Sequence, residues 1–392
     1  MKAVQLDADR IALPGSVDAT AQVKSPAAWR MPRVELVDAP DPALGPDDVL
    51  IRPLVVGFSD EERRLATADT EGHLTHDGKL NLPCVLGQEF AGQVESVGDQ
   101  VEDIRVGDYL TAEAFQWCAE CTNCRATGYE FCLSHEELGR TIDGAYAEWI
   151  RVGSKFCWSI DPLIERFGVR KGCELGALVL PLARIYNALF IRAQGFLPGE
   201  CVAVYGSGIL SLASVALARA AGAGQVLLFA DVPTVTPLAN RLGATGVFGT
   251  ADLAAIGQTP HEIVMDATSG QGANLQIEVS GNANALMDEL EGSLAITGKI
   301  VTPVSQAEPP AADLERFIFR QGRIQPALGH VGHGIFPNLI ELLGTGAADI
   351  TPAITRRIPL SEVPAALVGP ADASERSPWD HWVMSELVEM ED

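Results

Sequence analysis

The 392-residue chain contains no run of 18 apolar residues, so no transmembrane helix is expected. Cations are scarce: Lys and Arg total 28 against 52 Asp and Glu, giving a net charge of −24. No basic stripe or arm offsets this balance. An acidic surface of this kind repels nucleic acid and anionic membranes and favours solubility, so neither is expected as a partner. The opening MKAVQLDADRIALPG has no apolar signal-peptide core, and a cytoplasmic protein is expected. No repeat or low-complexity segment interrupts the chain. Hydrophobic residues make up 47% of it, enough for real cores.

Cysteine is present in a pattern. Four of the eight cysteines fall in CAECTNCRATGYEFC, with Cys118, Cys121, Cys124 and Cys132 spaced C-x2-C-x2-C-x7-C. Four thiolates at this spacing wrap one tetrahedral Zn²⁺ and leave no open position. In a chain with no export signal, such a cluster favours a metal over disulfides. Cys84, Cys157, Cys173 and Cys201 are scattered and read as small core residues.

Residues 34–150 read as β-rich, with β-branched, alternating segments broken by Gly and Pro. From about residue 180 short apolar runs alternate with helical stretches, the pattern of βαβ units in a parallel sheet. The expected organisation is α/β. A β-rich domain over 1–182 is joined again by 328–392, around an inserted nucleotide-binding domain at 183–327.

The inserted region opens with VAVYGSGILSLASVALARAAGA. A strand runs into Gly206-Ser207-Gly208 and a small-residue helix follows. Gly206 permits the tight turn, and Gly208 lets the backbone approach a pyrophosphate at the helix N-terminus. Ser211 stands where the fingerprint has its third glycine. After the second strand, QVLLFAD, Asp231 lies about where a ribose-binding acid belongs, one position past the expected strand end at Ala230. No Lys or Arg lies between Asp231 and Asn240, so NAD is preferred over NADP. An acid at this point is also a common helix cap.

The segments VVGFSDEE, LGQEFAGQVESVGDQVEDIRVGDYL, LGRTIDGAYAEWIRV, VAVYGSGILS, QIEVSGNANAL and ITGKIVTPV, with the cysteine lobe, resemble the medium-chain dehydrogenase/reductase superfamily. The branch they resemble is that of zinc alcohol and polyol dehydrogenases. More narrowly, AWRMPRVELVDAPDP, FQWCAECTNC and ALGHVGHGIFPNLIELL resemble enzymes of cyclic polyols such as scyllo-inosose dehydrogenases, and cyclitol reductases of aminocyclitol antibiotic pathways. The resemblance implies a GroES-like catalytic domain with a Rossmann doubly wound parallel-sheet domain. It implies NAD(P)H contacts from Gly206, Ser207, Gly208, Ile209, Leu210, Asp231, Ser280 and Val304. It further implies one structural zinc and a homodimer or homotetramer.

A second, catalytic zinc does not fit this sequence. The family's Cys position is Gly57 in Gly57-Phe58-Ser59-Asp60, its His position is Gln88 in Gly87-Gln88-Glu89, and its Glu position is Leu180. Glycine and leucine bring no ligand atom, and Gln is a poor one. The residues then expected to act on substrate are Ser59, Gln88, Glu89, Glu62 at the proton-relay position, and His330 and His333 in GHVGHG. Without a Lewis acid, hydride attack on a ketone needs other preorganised donors. Attack on an α,β-unsaturated ketone spreads its charge over an enolate and needs less. The expected activity is therefore reduction of a polyhydroxylated cyclohexenone of the valienone type. In that scheme Gln88 and Ser59 donate to the carbonyl oxygen, and Glu62, a His or water supplies the proton. The alternatives are a cyclitol dehydrogenase working at C–O, a redox-neutral enzyme with bound NAD, and an inactive nucleotide-binding module.

Overall fold

The computed structural model describes residues 1–10, 29–74, 78–231, 234–368 and 386–389. Parts of the expected domains, residues 11–28, 75–77, 232–233, 369–385 and 390–392, lie outside the described residues. The chain divides into two compact units, Met1–Leu178 with Thr355–Asp392, and Val179–Ile354.

The first unit is built from short strands: β1 (Lys2–Arg10), β2 (Trp29–Asp38), β3 (Asp48–Phe58), β4 (Cys84–Val85), β5 (Phe90–Val97), β6 (Tyr109–Ala112), β7 (Phe115–Gln116), β8 (Glu136–Glu137), β9 (Ile150–Gly153) and β10 (Cys157–Ser159). β3 alternates partly and fully buried residues before its last four positions, Val55 to Phe58, are all buried. Pro53 falls at a break in its register with β5, where a missing N–H is tolerated.

The second unit holds β11 (Cys201–Tyr205), β12 (Gln225–Phe229), β13 (Gly246–Phe248), β14 (Ala273–Glu278), β15 (Leu294–Thr302) and β16 (Arg323–Pro326). All five pairings are parallel, in the order β13-β12-β11-β14-β15-β16. This is the 3-2-1-4-5-6 order of a Rossmann sheet, with the switch of direction beside β11. β11 is buried along its whole length, as an interior parallel strand must be. Tyr205 stacks on Phe229 and Phe229 on Phe248, at centroid separations of 4.9 and 5.8 Å. The chain then returns to the first unit through β17 (Arg356–Pro359) and β18 (Glu386–Glu389), which complete the sheet order β10-β6-β5-β3-β18-β17.

The second compact unit runs on to Ile354, past residue 328 where the sequence pattern places the return. The apolar helix Ile335–Thr345 packs on the helix Val179–Tyr186 of the second unit. Asn187 pins the preceding segment there, its side-chain amide donating to the carbonyls of Leu328 and Gly329 at 2.8 and 2.9 Å.

Candidate functional site

Four of the expected catalytic residues meet where β3 ends. Ser59 caps the helix Asp60–Leu65: its Oγ accepts from Glu62 N–H at 3.3 Å, and Ser59 N–H donates back to Glu62 Oε2 at 3.1 Å. This reciprocal pair is the capping box that S-x-x-E encodes. Glu62 Oε1 accepts from the Gln88 N–H at 3.1 Å, and Tyr146 Oη lies 2.8 Å from both Glu62 Oε2 and the Gly57 carbonyl oxygen. Glu62 is 1% exposed, and burial raises its carboxyl above the usual range against the opposing Tyr146 and Ser59 hydrogen bonds. The sequence offers Glu62 as one of three proton sources, with a His or water; both its oxygens are engaged inside the protein.

The role expected of Gln88 also changes. Its Nε2 donates to Glu137 Oε1 at 3.1 Å and to the Leu138 carbonyl at 2.9 Å. Both neighbours are acceptors, so the amide has one tolerable orientation. Its two N–H groups are occupied within the protein. Among the described residues Oε1 takes no hydrogen bond, so Gln88 offers an acceptor. Ser59 Oγ accepts from Glu62, and its own O–H has no partner among the described residues.

Glu89 is buried, and its backbone oxygen accepts from Gly57 N–H. A Cβ on Gly57 would stand 2.6 Å from Glu89 Oε2 and 2.8 Å from Glu89 Cβ. The place of a ligating side chain is thus taken by Glu89. Leu180 is buried in the helix Val179–Tyr186 of the second unit and has no ligand atom. These three positions do not fit a catalytic metal.

The cysteine lobe does fit one. The Sγ atoms of Cys118, Cys121, Cys124 and Cys132 lie within 4.8 Å of one another, the one such ligand group among the described residues. A tetrahedral Zn²⁺ with bonds of about 2.3 Å places its sulfurs about 3.8 Å apart, and Cys118 and Cys124 are at 4.0 Å. Backbone N–H groups of Glu120 and Cys121 point at the Cys118 sulfur, at 3.4 and 3.3 Å. Those of Cys124 and Leu133 hold the Cys121 thiol down to about 6. The lobe is anchored through Trp117, which packs on Tyr129 at 4.5 Å and donates its indole N–H to the buried Glu113.

In the second unit Gly206 and Gly208 adopt φ of 131° and 139°, conformations that favour glycine. A Cβ on Gly206 would meet Ser280 N at 2.9 Å. Gly208 caps the helix Ile209–Ala220, so Ser207, Ile209 and Leu210 surround its N-terminus, and Ser211 is buried within it. Sequence reasoning missed Glu278, which is fully buried at the end of β14. It accepts from Ser280 N–H at 2.7 Å, from the Ser280 hydroxyl, and from the Gln306 amide at 2.8 Å. Gln306 also donates to the Val304 carbonyl at 3.1 Å. One acid therefore fixes the turns bearing Ser280 and Val304, at the strand ends where an open α/β sheet binds its ligand. The only signal in the sequence was an acid closing the strand in QIEVSG. Asp231 is exposed, and Thr250 N–H donates to its Oδ1 at 2.6 Å. His330 is buried and His333 exposed at φ 52°, both in the second unit beyond β16.

A glycine-turn Rossmann sheet and a GroES-like β domain with a four-cysteine lobe in one chain define a class of NAD(P)-dependent oxidoreductases. Residues 45–162 match the alcohol dehydrogenase GroES-like domain. The chain is 32% identical over 352 residues to scyllo-inosose 3-dehydrogenase of Thermotoga maritima, covering 86% of each. A Thermotoga maritima structure described as an alcohol dehydrogenase superposes with a TM-score of 0.90 at 27% identity, over the full length of both chains. A Sinorhizobium meliloti zinc-binding dehydrogenase bound to NADP superposes at 0.76 with 26% identity, covering 99% and 98%. The chain belongs to the medium-chain dehydrogenase/reductase superfamily. Among the described residues no single helix is long and apolar enough to cross a membrane.

Proposed function

We propose that the protein is a cyclitol reductase that uses NAD(P)H, holds one structural zinc at Cys118, Cys121, Cys124 and Cys132, and has no metal at its reacting oxygen. Its substrate is a polyhydroxylated cyclohexenone of the valienone type, as the aminocyclitol resemblance implies. A reduced nicotinamide, when bound, would supply the hydride to the β-carbon, and the α-carbon of the resulting enolate takes its proton from water. The chain's own residues hold the ring: Ser59 donates to the carbonyl oxygen, and Gln88 Oε1 accepts from a ring hydroxyl. The observation that carries this reading is the amide polarity of Gln88. With both its N–H groups on Glu137 and Leu138, Ser59 is left as the donor for a developing negative charge. One neutral donor suits an enolate, whose charge is shared between oxygen and carbon, better than an alkoxide.

A second reading, dehydrogenation at C–O, is favoured by the 32% identity to scyllo-inosose 3-dehydrogenase. Both keep a cyclitol in the site. The test is consumption of NADH and NADPH with a hydroxylated cyclohexenone and, separately, with scyllo-inosose. Reduction of the enone with the inosose untouched supports the first reading. Turnover of the inosose alone replaces it with the second.

A further inference from the structure

β12 and β13 run parallel with Phe229 opposite Phe248, and Ala230 N–H continues the ladder to the Phe248 carbonyl at 2.9 Å. Two residues past each strand, the same register sets Asp231 beside Thr250, the first residue of the helix Thr250–Ile256. Thr250 grips one carboxylate oxygen twice: its N–H donates to Asp231 Oδ1 at 2.6 Å, and its hydroxyl donates to the same atom. Among the described residues Oδ2 takes no hydrogen bond.

We infer that Thr250 is a positioning residue for cofactor choice: by fixing Oδ1 of Asp231 it aims Oδ2 at the adenosine ribose, and so selects NAD(H) over NADP(H). The inference rests on the dinucleotide reading of the glycine turn and deepens it. A carboxylate held by one oxygen loses little further freedom when the other accepts from a ribose hydroxyl. A 2′-phosphate has no such hydroxyl to give and carries its own negative charge toward Asp231. Between Phe229 and Ile256 the one cation is Arg241, at the far end of the helix Val235–Arg241. Asp252, which accepts from Gly249 N–H at 3.0 Å, adds a second acid to the same turn.

The experiment is titration of the full-length protein with NADH and with NADPH, read by nicotinamide fluorescence, for the wild type, Thr250→Val and Thr250→Ser. Thr250 is exposed, so both variants are expected to fold, with Thr250→Ala as a replacement if Thr250→Val does not. Wild type is expected to bind NADH roughly tenfold or more tightly than NADPH. Thr250→Val keeps the peptide N–H and deletes the hydroxyl. It is expected to narrow that ratio about three- to tenfold by weakening NADH alone, and Thr250→Ser to preserve it. A ratio unchanged in Thr250→Val, equal losses for both nucleotides, or a wild-type preference for NADPH overturns the inference. Failure of both nucleotides to bind overturns the dinucleotide reading beneath it.

Discussion

Glu89 fills the space where a side chain on Gly57 would begin, its Oε2 2.6 Å from that Cβ position. The Gly57 peptide cannot retreat, because its N–H is bonded to the Glu89 carbonyl and its oxygen to Tyr146 Oη at 2.8 Å. The lost ligand position has thus been overbuilt as well as vacated.

Gly57→Cys therefore restores no metal site. It is expected to cost about 1–3 kcal/mol through overpacking. Metal analysis of the purified variant should still give one zinc per chain, and denaturant melts should show the lowered stability. A second bound zinc would contradict the overbuilt geometry.

The Glu62 network carries a pH dependence whose sign follows from burial. The folded carboxyl holds its proton to higher pH than the unfolded one. Its contribution to stability is complete below the ordinary Glu range near 4.5 and is lost as pH rises through the raised folded value. Glu62→Gln mimics the protonated acid and cannot ionise. Urea midpoints across pH should show the variant gaining on the wild type as pH rises, and parallel curves would refute this.

Gln88→Leu tests the acceptor role. Hydroxylated substrate should lose roughly tenfold in kcat/KM through KM, because a ring hydroxyl loses its partner. An analogue lacking that hydroxyl should be affected far less, so the discrimination between the two should shrink. Similar losses on both would mean that Gln88 serves only packing.

Removal of the proposed structural zinc should unfold the lobe around residues 118–132, a loop too short to build a core of its own. Cys118→Ser, or a strong chelator, is expected to lower the melting temperature and to quench or shift Trp117 fluorescence, since that ring packs on Tyr129 inside the lobe. Retained stability after complete zinc loss would show the lobe to be self-supporting.

Much of this molecule was legible in local sequence. Strand and helix periods, the glycine turn, the cysteine spacing and the absence of ligands at 57, 88 and 180 each lie within a few residues or at one position. Tertiary structure alone decided what the side chains offer. Gln88 became an acceptor because two other acceptors, 49 and 50 residues further along, take its N–H groups. Glu62 became a buried anchor through Tyr146, 84 residues away, and Asp231 was oriented by Thr250, 19 residues on. Periodicity records which face of an element is buried. The polarity of an amide or the fate of a carboxylate depends on which partners the fold carries to it, and no local pattern records that.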